Sequence, residues 1–199
     1  IIITLGTAWI YRYIKTNTVV ANCHKIPQKE FKKQLLTGKE ITTSLERTIK
    51  NIRLLNKNAQ IIFTVSPVRH LKDGFVENQR SKSHLIFAIH DVLYISDISP
   101  FTSYFESYEL MMDELRDYRF YAKDMVHPNE LAVDYIWEKF KEVWISKGVY
   151  RTMDKVDDIQ KGIRHKAFYP ESEQHQKFQK SLQAKIAYIK EKYSFMEFD

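Results

Sequence analysis

The chain has 199 residues and a formal net charge of +6, and hydrophobic and charged residues make up 44% and 28% of it. This is the composition of an ordinary folded domain with a sizeable core, and it argues against a largely disordered chain. The single cysteine excludes an internal disulfide, and no apolar run approaches the roughly 20 residues that a membrane-spanning helix needs. The compartment stays open, with the cytoplasm favoured.

The positive charge is spread along the chain, with one basic run at residues 28–57 that holds eight Lys or Arg against three acids. We interpret this run as the solvated faces of two helices, because charged residues at helical spacing usually face water. The sequence therefore predicts no nucleic-acid partner. The side chains expected to point outward are Lys29, Lys32, Lys33, Lys50, Arg53 and Lys57.

The first part of the chain predicts two buried strands with a hairpin and two helices between them. The apolar run "IIITLGT" is typical of a buried parallel strand, and two β-rich runs around "KTNT" predict the hairpin. The segment "PQKEFKKQLLTG" predicts a short helix ending at Gly38, and "AQIIFTVSPV" predicts the second strand. Between them a longer helix is predicted from an apolar stripe of Ile41, Leu45, Ile49, Ile52 and Leu55.

The second part predicts one more strand and several helices. "ENQRSKSHLIFAIHDV" indicates a helix, "TSYFESYELMM" a short strand, and "DELRDYRFYAKDMVH" a loop with one helical turn. A helix is expected from Pro128, because proline is favoured in a first helical turn. Beyond Gly148 two helices follow without a strand between them. The apolar sides of the Pro128 helix and of the last helix are Ala132, Ile136, Phe140, Val143 and Trp144, and Phe178, Leu182, Ile186, Ile189, Tyr193 and Met196.

Alternating strands and helices predict an α/β fold with a parallel sheet and helices on its faces. We expect an α/β domain over residues 1–148 and a helical extension over residues 149–199. Sites in such folds lie at the carboxyl ends of the strands. Three segments meet this condition: residues 6–8, residues 66–70, and the loop before Pro128.

The loop before Pro128 contains Asp124 three residues ahead of His127. A general base needs an imidazole held in one tautomer, and an acid at this spacing in a tight turn can hold it. The alternative is a plain helix entry, in which Asp124 binds backbone N–H groups and His127 is merely half exposed. The pattern alone leaves both interpretations open.

Other candidates are weaker. Arg69 and His70 follow a strand and either line a pocket or form a loop ion pair with Asp73 or Glu77. Neighbouring strand residues point to opposite faces, so Cys23 and the adjacent histidine do not suit one thiol or metal site. The remaining histidines show no repeated ligand spacing, and we expect no metal and no organic cofactor.

A nucleophile is harder to find within these residues. The sequence contains no Gly-x-Ser, Ser44 falls in a predicted helix, and Ser66 precedes a proline. Neither serine resembles one exposed on a sharp turn.

Several segments together resemble the GSCFA family, a group common in Bacteroidetes and placed with the SGNH/GDSL hydrolases. They are "TLGTAWIY", "VVANCHK", "TVSPVRHLKDG", "SYELMMDELRDYRFYAKDMVHP" and "AFYPESEQHQKF", and they run from about Ile2 to about Phe178. The resemblance implies a flavodoxin-like, three-layer α/β/α sandwich of the SGNH type, of which this chain holds the later strands.

The resemblance also implies site roles. Asp124 and His127 match the terminal Asp-x-x-His block, with His127 as base and Asp124 as the residue that orients it. Gly6 and Thr7 resemble the start of a Gly-x-Asn block, but the third residue here is Ala8, so the expected oxyanion-hole amide is missing. Asn22 is one replacement, and backbone N–H groups are another.

The family's Gly-Ser-Cys-Phe-Ala motif, whose serine would be the nucleophile, does not occur in these residues. We therefore expect the chain to be the later part of a longer protein and to be inactive alone. The function implied is an ester hydrolase or acyltransferase acting on an acyl group of a carbohydrate or lipid. The alternative is a non-catalytic scaffold or binding module that uses the C-terminal helices, with a second copy of the chain as one partner.

Overall fold

The structure is a computed structural model that describes residues 1–20, 23, 25–95 and 97–198, and over these residues the strands form two three-stranded sheets. In chain order the elements are β1 (Ile2–Leu5), β2 (Trp9–Tyr13), β3 (Thr18–Val20), β4 (Phe31–Leu35), α1 (Gly38–Leu55), β5 (Ile61–Val65), α2 (Phe75–Leu93), β6 (Thr102–Phe105), α3 (Ser107–Glu109), α4 (Glu130–Trp144), α5 (Tyr150–Arg164) and α6 (Glu173–Lys192). A π-helical turn, Leu110–Glu114, follows α3 directly.

The first sheet is parallel, with strand order β1-β5-β6. Its central strand, β5, places Ile61, Phe63 and Val65 on one face, where they pack against buried residues of α1 and α2. Alternation turns Thr64 to the opposite face, and its hydroxyl lies 2.7 Å from the Ser107 hydroxyl of α3. The predicted α/β class with a parallel sheet is thus confirmed.

The second sheet is antiparallel, with strand order β3-β2-β4. The predicted hairpin is confirmed as β2 and β3, and Asn17 in its turn has a φ of 54°. The helix predicted to end at Gly38 is wrong: a single 3₁₀ turn, Gln28–Glu30, leads into β4, and Gly38 begins α1. Pairing with β2 decides the conformation of this segment.

Several finer expectations also need correction. The predicted strand after α2 ends at Phe105, because α3 and the π-helical turn occupy the rest of the segment. The helix expected from Pro128 begins at Glu130, with the Asn129 side chain accepting a hydrogen bond from Ala132 N at 3.1 Å. Leu55 and Val143 are 91% and 70% exposed, so neither lies on a buried stripe.

The basic run contains one strand, β4, and one helix, α1, rather than two helices. Four of the six side chains predicted to point outward are exposed, namely Lys29, Lys32, Lys50 and Lys57, whereas Lys33 and Arg53 are partly buried. Lys33 lies on β4, forms an ion pair with Asp73, and sits 4.9 Å from the centre of the Trp9 ring. The Arg53 guanidinium stacks 3.3 Å from the centre of the Phe101 ring. Both cationic groups lie over aromatic rings, because the negative face of a ring attracts a cation.

The chain divides into two units, Ile1–Glu138 and Lys139–Asp199. The predicted C-terminal helices are present as α5 and α6. The second unit has its own apolar cluster around three buried residues, Ile159, Leu182 and Ile189. Among the described residues, no helix combines the length and apolar composition that crossing a membrane requires.

Candidate active site

The carboxyl ends of β1 and β5 lie side by side, since Leu5 pairs with Val65 and Ser66 N donates to Leu5 O at 2.9 Å. This register brings residues 6–8 and residues 66–70 to one edge of the parallel sheet. We call this edge, with the loop before Pro128 that attaches to it, the carboxyl edge. Two of the three segments that the sequence predicted at strand ends therefore lie side by side, and the loop before Pro128 is the third.

The Asp124 carboxylate holds the loop that contains His127. One oxygen, Oδ1, accepts hydrogen bonds from Val126 N at 2.9 Å and from His127 N at 3.0 Å. The other, Oδ2, lies 2.6 Å from His127 Nδ1. Met125, which lies between Asp124 and Val126 in the chain, has a φ of 60°, the left-handed conformation that the tight turn requires.

These hydrogen bonds lower the pKa of Asp124 to about 2, with the backbone N–H groups of His127 and Val126 as the largest causes. The carboxylate therefore stays charged at neutral pH. The side chains of His127 and Asp124 are 59% and 50% exposed. The pair is thus held in geometry by local hydrogen bonds and is open to solvent.

Arg69 ties this loop to the end of β5. Its backbone N–H donates to Val126 O at 3.2 Å, and its guanidinium donates to Met125 O. The same guanidinium lies 4.2 Å from the centre of the Tyr121 ring. The alternative of an ion pair with Asp73 or Glu77 is wrong, because Asp73 pairs with Lys33 and Glu77 with Arg80.

His70 lies close to Gly6 at the carboxyl edge. A Cβ on Gly6 would come within 3.3 Å of His70 Nε2, so glycine permits this close approach. The His70 backbone N–H donates to Oδ1 of the buried Asn78 side chain at 2.8 Å. Partial burial lowers the pKa of His70, and the charges of Lys82 and His127 lower it further. The His70 imidazole is therefore uncharged at pH 7.

Sequence reasoning missed two residues of α2, Ser81 and Lys82, which are both 1% exposed. The Lys82 ammonium donates to Gly6 O at 2.8 Å and to Ser66 O at 2.7 Å, so it joins the ends of β1 and β5. The Ser81 hydroxyl accepts from Ala8 N at 2.7 Å and lies 2.9 Å from the Thr7 hydroxyl.

A signal for Lys82 was present in the sequence. It lies three, seven and ten residues before Leu85, Ile89 and Val92, which form the buried side of α2. A lysine on an apolar stripe requires hydrogen-bond partners in the interior. Burial lowers its pKa to about 8.

The serines at the carboxyl edge all have structural hydrogen bonds. The Ser66 hydroxyl accepts from Val68 N at 3.3 Å, and Ser107 donates to Val65 O at 2.7 Å. Ser81 is buried as described. Ser44, the other serine considered, lies within α1.

The predicted pocket residue Asn22 and the histidine next to Cys23 lie outside the described residues. Cys23 itself is a partly buried free thiol. Within residues 1–20, 23, 25–95 and 97–198, no three metal-ligating side chains are grouped closely enough to hold an ion.

A cleft of about 370 Å³ borders the carboxyl edge. Its walls include Thr7, Arg69 and His70, three of the residues that the sequence singled out, together with Val126, the neighbour of His127. The arrangement therefore combines an exposed Asp–His pair, two fixed strand ends and an adjoining cavity. This combination suits proton transfer to and from a bound molecule.

Comparison with known proteins identifies two matching family models. Residues 1–140 match the GSCFA family, and residues 156–199 match the GSCFA domain protein, C-terminal domain. No curated protein and no solved structure matches the chain.

Proposed function

The chain belongs to the GSCFA family, and on that premise we propose that the whole protein is an SGNH-like, serine-dependent ester hydrolase or acyltransferase. In this proposal His127 is the general base and Asp124 orients it. The substrate class is an acyl ester of a carbohydrate or lipid. The observation that carries the proposal is the 2.6 Å contact between Asp124 Oδ2 and His127 Nδ1.

That contact supports a defined proton path. A charged Asp124 carboxylate keeps the proton of His127 on Nδ1, which leaves Nε2 as the nitrogen that accepts a proton. A serine hydroxyl gives its proton to Nε2 as its oxygen attacks the ester carbonyl. The imidazolium that results is stabilised by Asp124, and it then protonates the departing alcohol.

The nucleophile of this proposal lies outside the 199 residues. The serines at the carboxyl edge are used structurally, and the family's Gly-Ser-Cys-Phe-Ala motif does not occur in the chain. The proposed nucleophile is therefore the serine of that motif in the whole protein.

The peptide between Gly6 and Thr7 is the proposed oxyanion donor, in place of the side chain that Ala8 lacks. Its carbonyl oxygen accepts from Lys82, and the chain has no cis peptide bond among its described residues. In a planar trans peptide the N–H points opposite to the carbonyl. The Thr7 N–H therefore points away from Lys82, and in this proposal it donates to the developing negative charge.

The test compares protein that carries the family motif with its His127→Ala and Asp124→Asn variants, using acetyl-ester hydrolysis. We expect kcat/KM to fall by about 10²–10⁴ in each variant, because the base is lost or its tautomer is no longer held. Asp117→Asn is the matched control, since Asp117 also accepts a backbone N–H, from Arg119, but contacts no histidine in the described structure. Unchanged hydrolysis by His127→Ala would refute the assigned role.

A second candidate function is a binding module built on the C-terminal helices. Two observations favour it. Residues 156–199 match a family model of their own, and they contain a separate apolar cluster.

A further inference from the structure

The cleft beside the carboxyl edge has a charged wall that the proton path does not use. Three cations, Lys33, Arg69 and Lys72, line it against one carboxylate, that of Asp73. The formal charge of the wall is therefore positive.

The cations are contributed by separate segments of the first unit. Lys33 lies on β4 directly opposite Tyr11 of β2, and both side chains line the cleft. Lys72 and Asp73 belong to the 3₁₀ turn Leu71–Asp73 that precedes α2. The antiparallel sheet thus forms one wall of the cleft, and the residues that follow β5 form the other.

Two N–H groups of the lining residues have no acceptor among the residues that the structure describes. They are Trp9 Nε1 and Arg69 Nε, and both atoms are buried. Buried donors are nearly always hydrogen-bonded in folded proteins. Trp9 and Arg69 therefore add two donors without acceptors to the walls that the three cations line.

The cleft borders the loop that carries the catalytic candidates. Thr7, His70 and Val126 line it, and Val126 is adjacent to His127 in the chain. A group held at the cationic wall therefore belongs to a molecule whose remainder can reach the carboxyl edge.

We propose that this cleft binds a carboxylate or phosphate group of the substrate. Oxyanions of both kinds carry a negative charge and several acceptor oxygens, which matches a wall with three cations and one carboxylate. The inference deepens the proposed function, because it makes the ester substrate an anionic one. Binding itself does not depend on catalysis and is measured without it.

The experiment follows the indole N–H signals of the 199-residue chain by ¹H–¹⁵N NMR, with Trp9 assigned through Trp9→Phe. Inorganic phosphate and acetate are added separately at constant ionic strength, with neutral acetamide as the uncharged comparison. We expect a saturable shift of the Trp9 signal with at least one anion and none with acetamide. The stronger of the two anions identifies the source of the charge, and no saturable shift with either would overturn the proposal.

Charge variants sharpen the test. Lys33→Gln is expected to weaken anion binding roughly tenfold, whereas Asp73→Asn is expected to strengthen it severalfold because the competing carboxylate is gone. A gain in affinity cannot arise from loss of the fold. Lys32→Gln is the matched control, because Lys32 is the neighbour of Lys33 on β4 and alternation turns it to the other face.

The variants also separate this inference from the proposed function. His127→Ala should bind the anion as the parent chain does. Suppose that His127→Ala binds the anion and that the unmodified whole protein has no esterase activity. The cleft assignment would then stand, and the proposed function would be refuted. Equal binding by Lys33→Gln, Asp73→Asn and Lys32→Gln would refute the cleft assignment alone.

Discussion

At the scale of single residues, Asp124 performs two tasks with one carboxylate. Its hydrogen bonds to Val126, to the His127 backbone and to the His127 ring fix both the loop and the imidazole. Because these bonds lower the pKa of Asp124 to about 2, they are fully present above the unfolded value of about 3.9. They are lost only as the pH falls through the folded pKa.

Both interpretations of the "DMVH" pattern therefore describe part of the molecule. Asp124 does bind backbone N–H groups, as a helix entry would, and it also binds the histidine ring. The local hydrogen bonds hold the ring in place without burying it. The catalytic role of the pair stays a prediction.

Lys82 gives a prediction about pH. Burial lowers the pKa of Lys82 from 10.5 to about 8, so between these values the unfolded chain holds a proton that the folded chain has released. The contribution of Lys82 to the free energy of unfolding therefore rises with pH across that window, by roughly 3 kcal/mol in total. The difference in unfolding free energy between the parent chain and Lys82→Met should grow by that order between pH 8 and 10.5.

Urea denaturation at several pH values measures this difference, and subtraction removes the contributions of tyrosines and other lysines. Lys50→Met serves as the control, since the Lys50 side chain is 69% exposed. Its difference from the parent should stay flat across the window. A flat difference for Lys82→Met as well would contradict the assigned burial.

At the scale of elements, the start of α1 shows how a local signal and a long-range contact compete. The segment "TGKE" contains a capping box: Thr37 Oγ1 accepts from Glu40 N at 3.3 Å, and Glu40 Oε2 accepts from Thr37 N at 2.8 Å. The sequence pattern predicts Gly38 instead as the end of a preceding helix. Since β4 pairs with β2, that preceding helix does not exist.

The cap predicts a stability change. Thr37→Ala should lower the unfolding free energy by about 1 kcal/mol, because the N–H of Glu40 loses its acceptor. Thr43→Ala, in the interior of the same helix, is the control. Its hydroxyl donates to Lys39 O at 3.0 Å, and alanine has the higher helix propensity, so stability should stay equal or rise. Thermal unfolding distinguishes the two, and equal losses would argue against the cap.

Whether each remaining element was predicted depends on how strong the apolar periodicity of its sequence is. The buried strand β5 and the helices α1, α2, α5 and α6 were predicted because long apolar patterns specify them. The five residues of β4, "FKKQL", lack a clean alternation. Their pairing partner, β2, lies some twenty residues earlier, and only the folded chain shows that contact.

At the scale of the whole molecule, two units and two family models divide the chain at similar places. The units are Ile1–Glu138 and Lys139–Asp199, and the models cover residues 1–140 and 156–199. The predicted division after residue 148 stays a proposal. It assigns the catalytic candidates to the first part and the partner-binding candidate to the second.

The binding-module candidate predicts self-association through the C-terminal helices. The segment between α5 and α6 exposes two aromatic side chains, Phe168 and Tyr169, by 97% and 79%. If a second copy covers them, sedimentation equilibrium will show an oligomer that dissociates in a Phe168→Ser, Tyr169→Ser double variant. Leu55→Ser, which changes an equally exposed apolar residue of α1, should leave the association unchanged. A strictly monomeric parent chain would contradict the prediction.

The sequence by itself determined the α/β class, the long helices, the buried strand β5 and the contact between Asp124 and His127, because each depends on periodicity or on residues close in the chain. The predicted burial of β1 is wrong, because β1 is an edge strand in which Ile2 is 56% exposed. The tertiary structure alone decided the pairing of β4 with β2, the charged cleft and the position of Lys82 between Gly6 and Ser66. The two Lys82 contacts, for example, join residues 16 and 76 positions apart. Such contacts follow from strand register and helix packing, which a single local pattern does not encode.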